Sequence, residues 1–401
     1  MSDRLEIRSV RPSEVDQVAD LLARRGEPAD AVDVRLVIDD PDEGPSSVLV
    51  AVDGDRVVST LTLLRESVRV GTVVLPAAQI EMVATEPDHE GRGLVRSLVD
   101  VAHSISRARG DVVQVMIGIP FFYRQFGYVY SIPIADTRRL LESPPAIEHE
   151  RGIVVRNASS ADIEAMAALQ DRVQAEASVA MPHTSACWRW LVARDGSAQW
   201  VAERGGVVIA TARATPPEDA LYLGEIAGDA DGVRAILHHA RSVAPDDVPV
   251  DVMDRGSALH EVLDPMLAPI DEVDRSWYYA RVEQPSALFE ALRPELGRRW
   301  AAAGGDEREL LVSSYRSHLR FRLDPIAGMG PVSAGGPLQA PVSAGGSGVP
   351  LDVIAPLVFG PFGALELERR QPDVLLGHQR EAMAVLFPPQ RADVLTFYLP
   401  V

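Results

Sequence analysis

The chain has 401 residues, long enough for two or three domains that each build their own core. It is 46% hydrophobic, which excludes a disordered chain, and no apolar run approaches the ~20 residues that a membrane-spanning helix needs. Its formal charge of −19, from 58 acidic against 39 basic residues, disfavours nucleic acid and anionic membranes and attracts cationic ligands.

Met1-Ser2-Asp3-Arg4-Leu5-Glu6 lacks the basic-then-apolar pattern of a signal peptide, so a cytoplasmic protein is expected. Residues 5–10 read as a first strand. Ser13 then N-caps a helix marked by Val15, Val18, Leu21 and Leu22 that stops near Gly26. Residues 30–38 read as a second helix, with Asp30 and Asp33 expected on its solvated surface and weakly suited to holding a cation. Residues 47–52 and 56–63 flank Asp53-Gly54, a strong hairpin signal.

The stretch 79–128 carries the chemistry. Ile80, Met82 and Ala84 alternate with Glu81, Val83 and Thr85, as in a strand, and Pro87 ends it because it has no N–H for the ladder. Gly91 and Gly93 let the backbone turn sharply, and Leu94, Val95, Leu98, Val101, Ala102 and Ile105 recur at helical spacing up to Gly110. A strand that feeds a glycine turn into a helix N-terminus makes an anion site, and Arg92 and Arg96 add positive charge beside it. The ligand that suits such a turn is a pyrophosphate. Residues 112–117 read as the next strand, parallel and buried.

Val83-Ala84-Thr85-Glu86-Pro87-x-x-x-Gly91-Arg92-Gly93-Leu94-Val95 resembles the acetyl-CoA loop of the GNAT N-acetyltransferase superfamily. Tyr123-Arg124-Gln125-Phe126-Gly127-Tyr128 is similar to that superfamily's downstream tyrosine segment, at the right distance. Pro87-x-His89-x-x-Arg92-Gly93-Leu94-x-Arg96, in a chain of this length, further resembles the enhanced intracellular survival (Eis) family of aminoglycoside and lysine acetyltransferases. The resemblance implies acetyl-CoA as co-substrate, held by Val83, Ala84, Thr85, Gly91, Arg92, Gly93, Leu94, Val95 and Arg96. It also implies a cationic primary amine as acceptor and a homo-oligomer, a hexamer. Two residues depart from the superfamily pattern. Glu90 stands where Arg or Gln is usual, and a carboxylate about 6 Å from a pyrophosphate costs up to roughly 2–3 kcal/mol at an effective dielectric of ~20. Val95 replaces a small residue, so its side chain must point away from the pantetheine.

Glu142-Ser143-Pro144-Pro145-Ala146 is the first credible boundary, and after it the pattern starts again. Residues 153–156, 162–173, 200–203, 207–212 and 221–227 repeat the strand, helix, hairpin and central strand, with Glu225-Ile226-Ala227 echoing Glu81-Met82-Val83. The copy then departs from the original. Gly228-Asp229-Ala230-Asp231-Gly232 has no Arg-Gly pair, and its carboxylates oppose a pyrophosphate. Cys187, the single cysteine, reads as a small buried hydrophobe, so neither an intrachain disulfide nor a thiolate metal cluster is expected. From Gln284-Pro285 the order of helices and strands resembles the sterol-carrier-like domain that closes Eis-family chains. The repeated Pro-Val-Ser-Ala-Gly-Gly at 331–336 and 341–346 reads as a mobile loop. The apolar end, residues 394–401, reads as tied down. The expected architecture is therefore α/β with mixed sheets: a catalytic GNAT domain at 1–142, a degenerate GNAT-like domain at 152–283 and a sterol-carrier-like α+β domain at 284–401.

Acyl transfer to an amine needs a base, because a lysine-type ammonium with pKa ~10.4 is no nucleophile. It also needs an oxyanion donor and an acid for the leaving thiolate. A β-bulge after Glu81 would aim the Val83 amide at the oxyanion. By resemblance Tyr123 is the acid, and the terminal carboxylate of Val401 is the base. Glu81, on the central strand, is the rival base. The same residues leave two other readings open: a non-catalytic GNAT-fold binder of an apolar ligand, and a biosynthetic acyltransferase using a longer acyl-CoA. No metal-site or P-loop motif occurs.

Overall fold

The computed structural model of the chain describes residues 5–141, 152–257, 259–270 and 276–399. Its first half runs β1 (Leu5–Ser9), α1 (Val15–Arg25), α2 (Asp30–Asp39), β2 (Val48–Asp53), β3 (Arg56–Val70), β4 (Val73–Thr85), α3 (Leu94–Arg109), β5 (Val113–Met116), β6 (Val129–Pro133) and β7 (Thr137–Arg139). The start of α1 differs from expectation. A short 3-10 turn, Pro12–Glu14, precedes it, and the Glu14 carboxylate rather than Ser13 accepts from the Arg11 amide at 2.9 Å. The expected hairpin is there, but β3 continues to Val70 because β4 pairs with it along nearly its whole length.

The second half runs β8 (Ile153–Asn157), α4 (Ile163–Gln174), β9 (Val179–Met181), α5 (Ser185–Ala193), β10 (Ala198–Arg204), β11 (Val207–Ala214), β12 (Leu221–Gly228), α6 (Ala230–Val243), β13 (Val250–Met253), α7 (His260–Leu263) and β14 (Trp277–Arg281). The strand order repeats. β1-β2-β3-β4-β5 of the first sheet matches β8-β10-β11-β12-β13 of the second, and in each the last two strands are parallel. The halves also exchange strands. β14 enters the first sheet between β5 and β6, antiparallel to both, while β7 joins the second sheet on β13. The Pro-rich boundary expected at 142–146 lies outside the described residues.

The rest comprises α8 (Pro285–Ala291), α9 (Arg293–Ala302), β15 (Arg308–Ser313), β16 (His318–Asp324), β17 (Gly328–Met329), β18 (Ser333–Gly335), β19 (Ser347–Gly348), α10 (Leu351–Phe359), α11 (Gly363–Arg370), α12 (Arg380–Leu386) and β20 (Ala392–Val394). The loop expected to be mobile is built into this part. Ser333–Gly335 pairs with β16, and a Cβ on Gly335 would lie 2.2 Å from the His318 ring. Ser347 is buried and donates to the Leu376 carbonyl at 2.9 Å. Local composition signalled a loop; in the first copy of the repeat Ser333–Gly335 instead forms a strand on β16.

One apolar cluster joins this part to the first sheet. Val68, Val70, Leu75, Val113 and Val115 pack in it with Phe289, Phe321, Leu357 and Phe387. The apolar face of α10 is consumed by that shared core. The chain then returns: β20 pairs with β9, and β9 extends β3, so the C-terminal segment lies across the two halves.

Phe289 is fully buried, with ring centroids 6.0 Å from Phe321 and 5.5 Å from Phe387. Truncating it leaves a cavity that the surrounding rings only partly close. Phe289→Ala is expected to cost about 3–5 kcal/mol in urea unfolding.

Candidate active site

β4 and β5 are hydrogen-bonded only from Ala77–Gln79 to Val113–Val115, and beyond Gln79 they diverge into a wedge-shaped gap. β4 also breaks step with β3, because Thr62 pairs with Glu81 and Thr60 with Ala84. Met82 and Val83 thus stand opposite Leu61 alone, and Met82 takes φ +49°. This is the bulge expected after Glu81. A left-handed methionine costs roughly 1–2 kcal/mol, which the buried side chain and the flanking ladder must hold in place. The bulge places Met82 and Val83 beyond the last residues that pair with β5.

The glycine turn follows. Gly91 and Gly93 have φ of +72° and +79°, and among the described residues nothing lies within 4 Å of where their Cβ atoms would be. Gly93 N-caps α3 with no side-chain hydrogen bond, so the first-turn amides stay open to a ligand. His89 pins the turn, its ring nitrogens 3.0 Å from Asp53 and 2.9 Å from Asp88, and these two carboxylates raise its pKa. Arg92 lies 3.7 Å from Asp53. Arg96 donates to Gln125 at 2.5 Å and lies over the Phe126 ring. Val95 packs against the core cluster of Leu98, Tyr123 and Phe126, with Leu94 buried on Ala51 and Val58. Thr85 shares a 2.8 Å hydrogen bond with Ser59. Glu90 is held away from the turn by Arg25, which donates to it at 2.5 Å. Nothing in the sequence near Glu90 signals this partner, 65 residues upstream.

Tyr123 sits in the short turn Phe122–Phe126, and its ring packs so closely on Gly118 that a Cβ there would be 2.4 Å away. Burial, reinforced by the nearby Glu81, pushes its hydroxyl up to about 12, so it stays protonated at neutral pH. Glu81 faces the same region. Burial raises its carboxyl to about 8, against a hydrogen bond donated by Gln79. Gln79 was legible in retrospect: two residues before Glu81 on a strand, it shares its face.

The acidic residues of α2 correct an expectation. Asp33 is fully buried and Asp30 nearly so, not solvated. Burial lifts Asp33 to about 6 although Arg194 donates to it at 2.6 Å. Asp30 accepts from the Tyr398 hydroxyl at 2.5 Å, so the C-terminal segment reaches this pocket. Val401, expected to bring its carboxylate here, lies outside the described residues. In the second half the corresponding helix end is closed. Asp229 caps α6 by accepting from Gly232 at 2.8 Å, and Arg204 pairs with Asp229 at 2.9 Å.

Residues 6–131 match the family model described as Acetyltransferase (GNAT) domain. Among curated proteins no sequence matches. A GCN5-related N-acetyltransferase from Anabaena variabilis superposes with a TM-score of 0.71 at 13% identity, over 98% of this chain and all of that one. One from Kribbella flavida gives 0.67 at 17%, over 99% of each chain. Eis1 from Mycobacterium abscessus gives 0.60 at 16%, over 98% of this chain and 100% of its own. The fold is therefore that of the GCN5-related N-acetyltransferases. The family match covers the first third, and the glycine turn and Tyr123 fall inside the matched residues.

The Arg25–Glu90 pair is solvent-exposed and screened, so its effect on a bound anion is small. Glu90→Gln is expected to change acetyl-CoA affinity by no more than about fivefold, measured by calorimetry at physiological salt.

Proposed function

We propose that the protein moves an acetyl group from acetyl-CoA to a primary amine of a cationic acceptor of aminoglycoside, polyamine or lysine type. The observation that carries this reading is one strand gap with three features around it. They are an uncapped glycine turn, a tyrosine kept protonated and a carboxyl group that titrates near neutrality. Acetyl-CoA supplies the activated acyl group as a thioester. Gly91, Arg92, Gly93 and Arg96, with the first-turn amides of α3, would hold its pyrophosphate, and Val83, Ala84 and Thr85 would line the pantetheine.

Glu81 takes a proton from the acceptor's ammonium group and so frees the lone pair that attacks. A bulge amide at Val83 stabilises the charge on the carbonyl oxygen. As the carbon–sulfur bond breaks, Tyr123 gives its proton to the departing thiolate, and the excess proton on the newly acylated nitrogen returns to the tyrosinate. The terminal carboxylate of Val401 is the rival base. Several features favour a cationic acceptor. Asp30, Asp33, Glu66 and Glu81 are buried in this region, and Asp33 Oδ1, Thr62 Oγ1 and Glu66 Oε2 have no hydrogen-bond donor among the described residues. All 39 basic side chains are arginine, so the chain offers no lysine of its own to such a site.

A second reading has one observation in its favour. Ile119 and Phe121, on the loop before Tyr123, are 66% and 72% exposed and would suit a longer acyl chain. Turnover that rises from acetyl- to butyryl- and hexanoyl-CoA would select it. The non-catalytic apolar binder is disfavoured because the apolar face of α10 is already buried. Thiol release measured with acetyl-CoA against amines, polyamines, aminoglycosides and lysine peptides tests the main reading. No release with any of them, together with no heat from acetyl-CoA at millimolar concentration, would overturn it.

Tyr123→Phe is expected to lower kcat by about 10²–10⁴-fold while acetyl-CoA affinity, read by calorimetry, stays nearly unchanged. Because Glu81 must be ionised to act, kcat/KM for the acceptor should climb as pH rises through about 8 and level off above it. Glu81→Gln should remove that climb. A pH profile that keeps it would assign the proton to another base, such as the terminal carboxylate.

A further inference from the structure

The second half carries the same splayed strands as the first and fills them differently. β12 and β13 are hydrogen-bonded only from Leu221–Leu223 to Val250–Val252. β12 is then bulged, with Glu225 and Ile226 opposite Ala212 alone and Glu225 at φ +55°. Met82 and Glu225 are thus the equivalent bulge residues, which shifts the repeat one residue from the expected echo of Glu81 by Glu225. Gly224, not Glu225, stands in the place of Glu81. A Cβ on Gly224 would lie 2.4 Å from Leu399 Cδ2 and 3.0 Å from Met253 Sδ. Leu399 occupies the space that the missing side chain leaves.

Buried arginines from the second half grip the rest of that segment. Arg213, fully buried, donates to the carbonyl oxygens of Thr396 (2.9 Å) and Phe397 and pairs with Glu225 at 3.1 Å. Burial alone would raise Glu225, but His183 and Arg213 outweigh it and hold the carboxyl at about 2. Arg194 donates to the Phe397 carbonyl at 3.1 Å and stacks on the rings of Phe397 and Tyr398. Arg255 pairs twice with Asp393, at 2.9 and 2.5 Å. Without the segment, Arg213 and Arg194 would lose these carbonyl acceptors.

We propose that the strand gap of the second half is a receptor for the chain's own C-terminal segment, residues 392–399. Seated there, the segment sets Tyr398 against Asp30 and beside Glu81 in the acceptor mouth. Arg194, Arg213 and Gly224 are positioning residues in this scheme. The gap that in the first half faces a nucleotide thioester has become a peptide site, and its helix end is closed by Asp229 and Arg204. The effect on catalysis rests on the acetyl-transfer reading above; the seating itself does not.

The test is a size swap in the full chain. Gly224→Leu should expel Leu399, speed hydrogen exchange at the amides of residues 394–398 by about tenfold or more, and raise acceptor KM with acetyl-CoA affinity unchanged. Adding Leu399→Gly should restore both, a recovery that a merely destabilised protein would not show. If Gly224→Leu does not fold, Leu399→Gly alone should still speed exchange in the same amides. Unchanged exchange in either single variant, or no recovery in the pair, would overturn the proposal. Were the wild-type chain to transfer no acetyl group, the exchange readout would still decide the seating.

Discussion

The parting of β4 from β5 beyond Gln79 is the constraint on which the site depends. Two parallel strands that stay paired leave no room for a ligand, and two that never pair leave no rigid frame. Here three residues of pairing fix the frame, and the bulge at Met82 then swings the next residues out of the ladder. That one irregularity shifts the register of β4 just before the strand ends at Thr85 and gives way to the glycine turn before α3. Pro87 and the two left-handed glycines then deliver an uncapped helix end to the same opening. The strained backbone at Met82 sits at the candidate site, held there by the surrounding packing.

The second constraint is burial of charge. Asp33, Arg194, Arg213 and Glu225 are all within a few per cent of full burial at the junction of the two halves. Ions taken out of water are tolerable only when each finds partners, so this junction has little freedom to slide. Arg194 and Arg213 also donate to carbonyl oxygens of Thr396 and Phe397, which ties the far end of the chain to this junction. Strand exchange does the same for the sheets. With β14 between β5 and β6, and β7 on β13, neither half completes its sheet alone.

Much of the first half was readable from residues. The alternation around Glu81, the stop at Pro87, the paired glycines and the apolar spacing of α3 are all local signals, and these elements form where expected, although β3 and β4 extend six or seven residues further toward their shared turn. Tyr123 was placed by its motif, and its burial among Phe122, Phe126 and Tyr128 follows from the aromatic run itself. Asp30 and Asp33 were misread because helical periodicity ranks a carboxylate as surface. Only the arrival of Arg194 and Tyr398, from about 160 and 370 residues away, makes their burial affordable. The strand within the first proline-glycine repeat was missed for the same reason: β16 supplies a partner that composition cannot foresee.

The sequence by itself determined the local machinery: the bulge-prone strand, the anion turn, the tyrosine segment and the duplication of the pattern. The first three depend on residues within a few positions of one another, and the duplication shows as the same local signals met twice, so backbone sterics and periodicity suffice. Tertiary structure alone decided which groups meet across the chain. It set Arg25 against Glu90, exchanged β7 and β14 between the sheets, and seated Leu399 on Gly224. Those pairings answer to burial and charge neutralisation over hundreds of residues, and neither quantity is carried by any short stretch of chain.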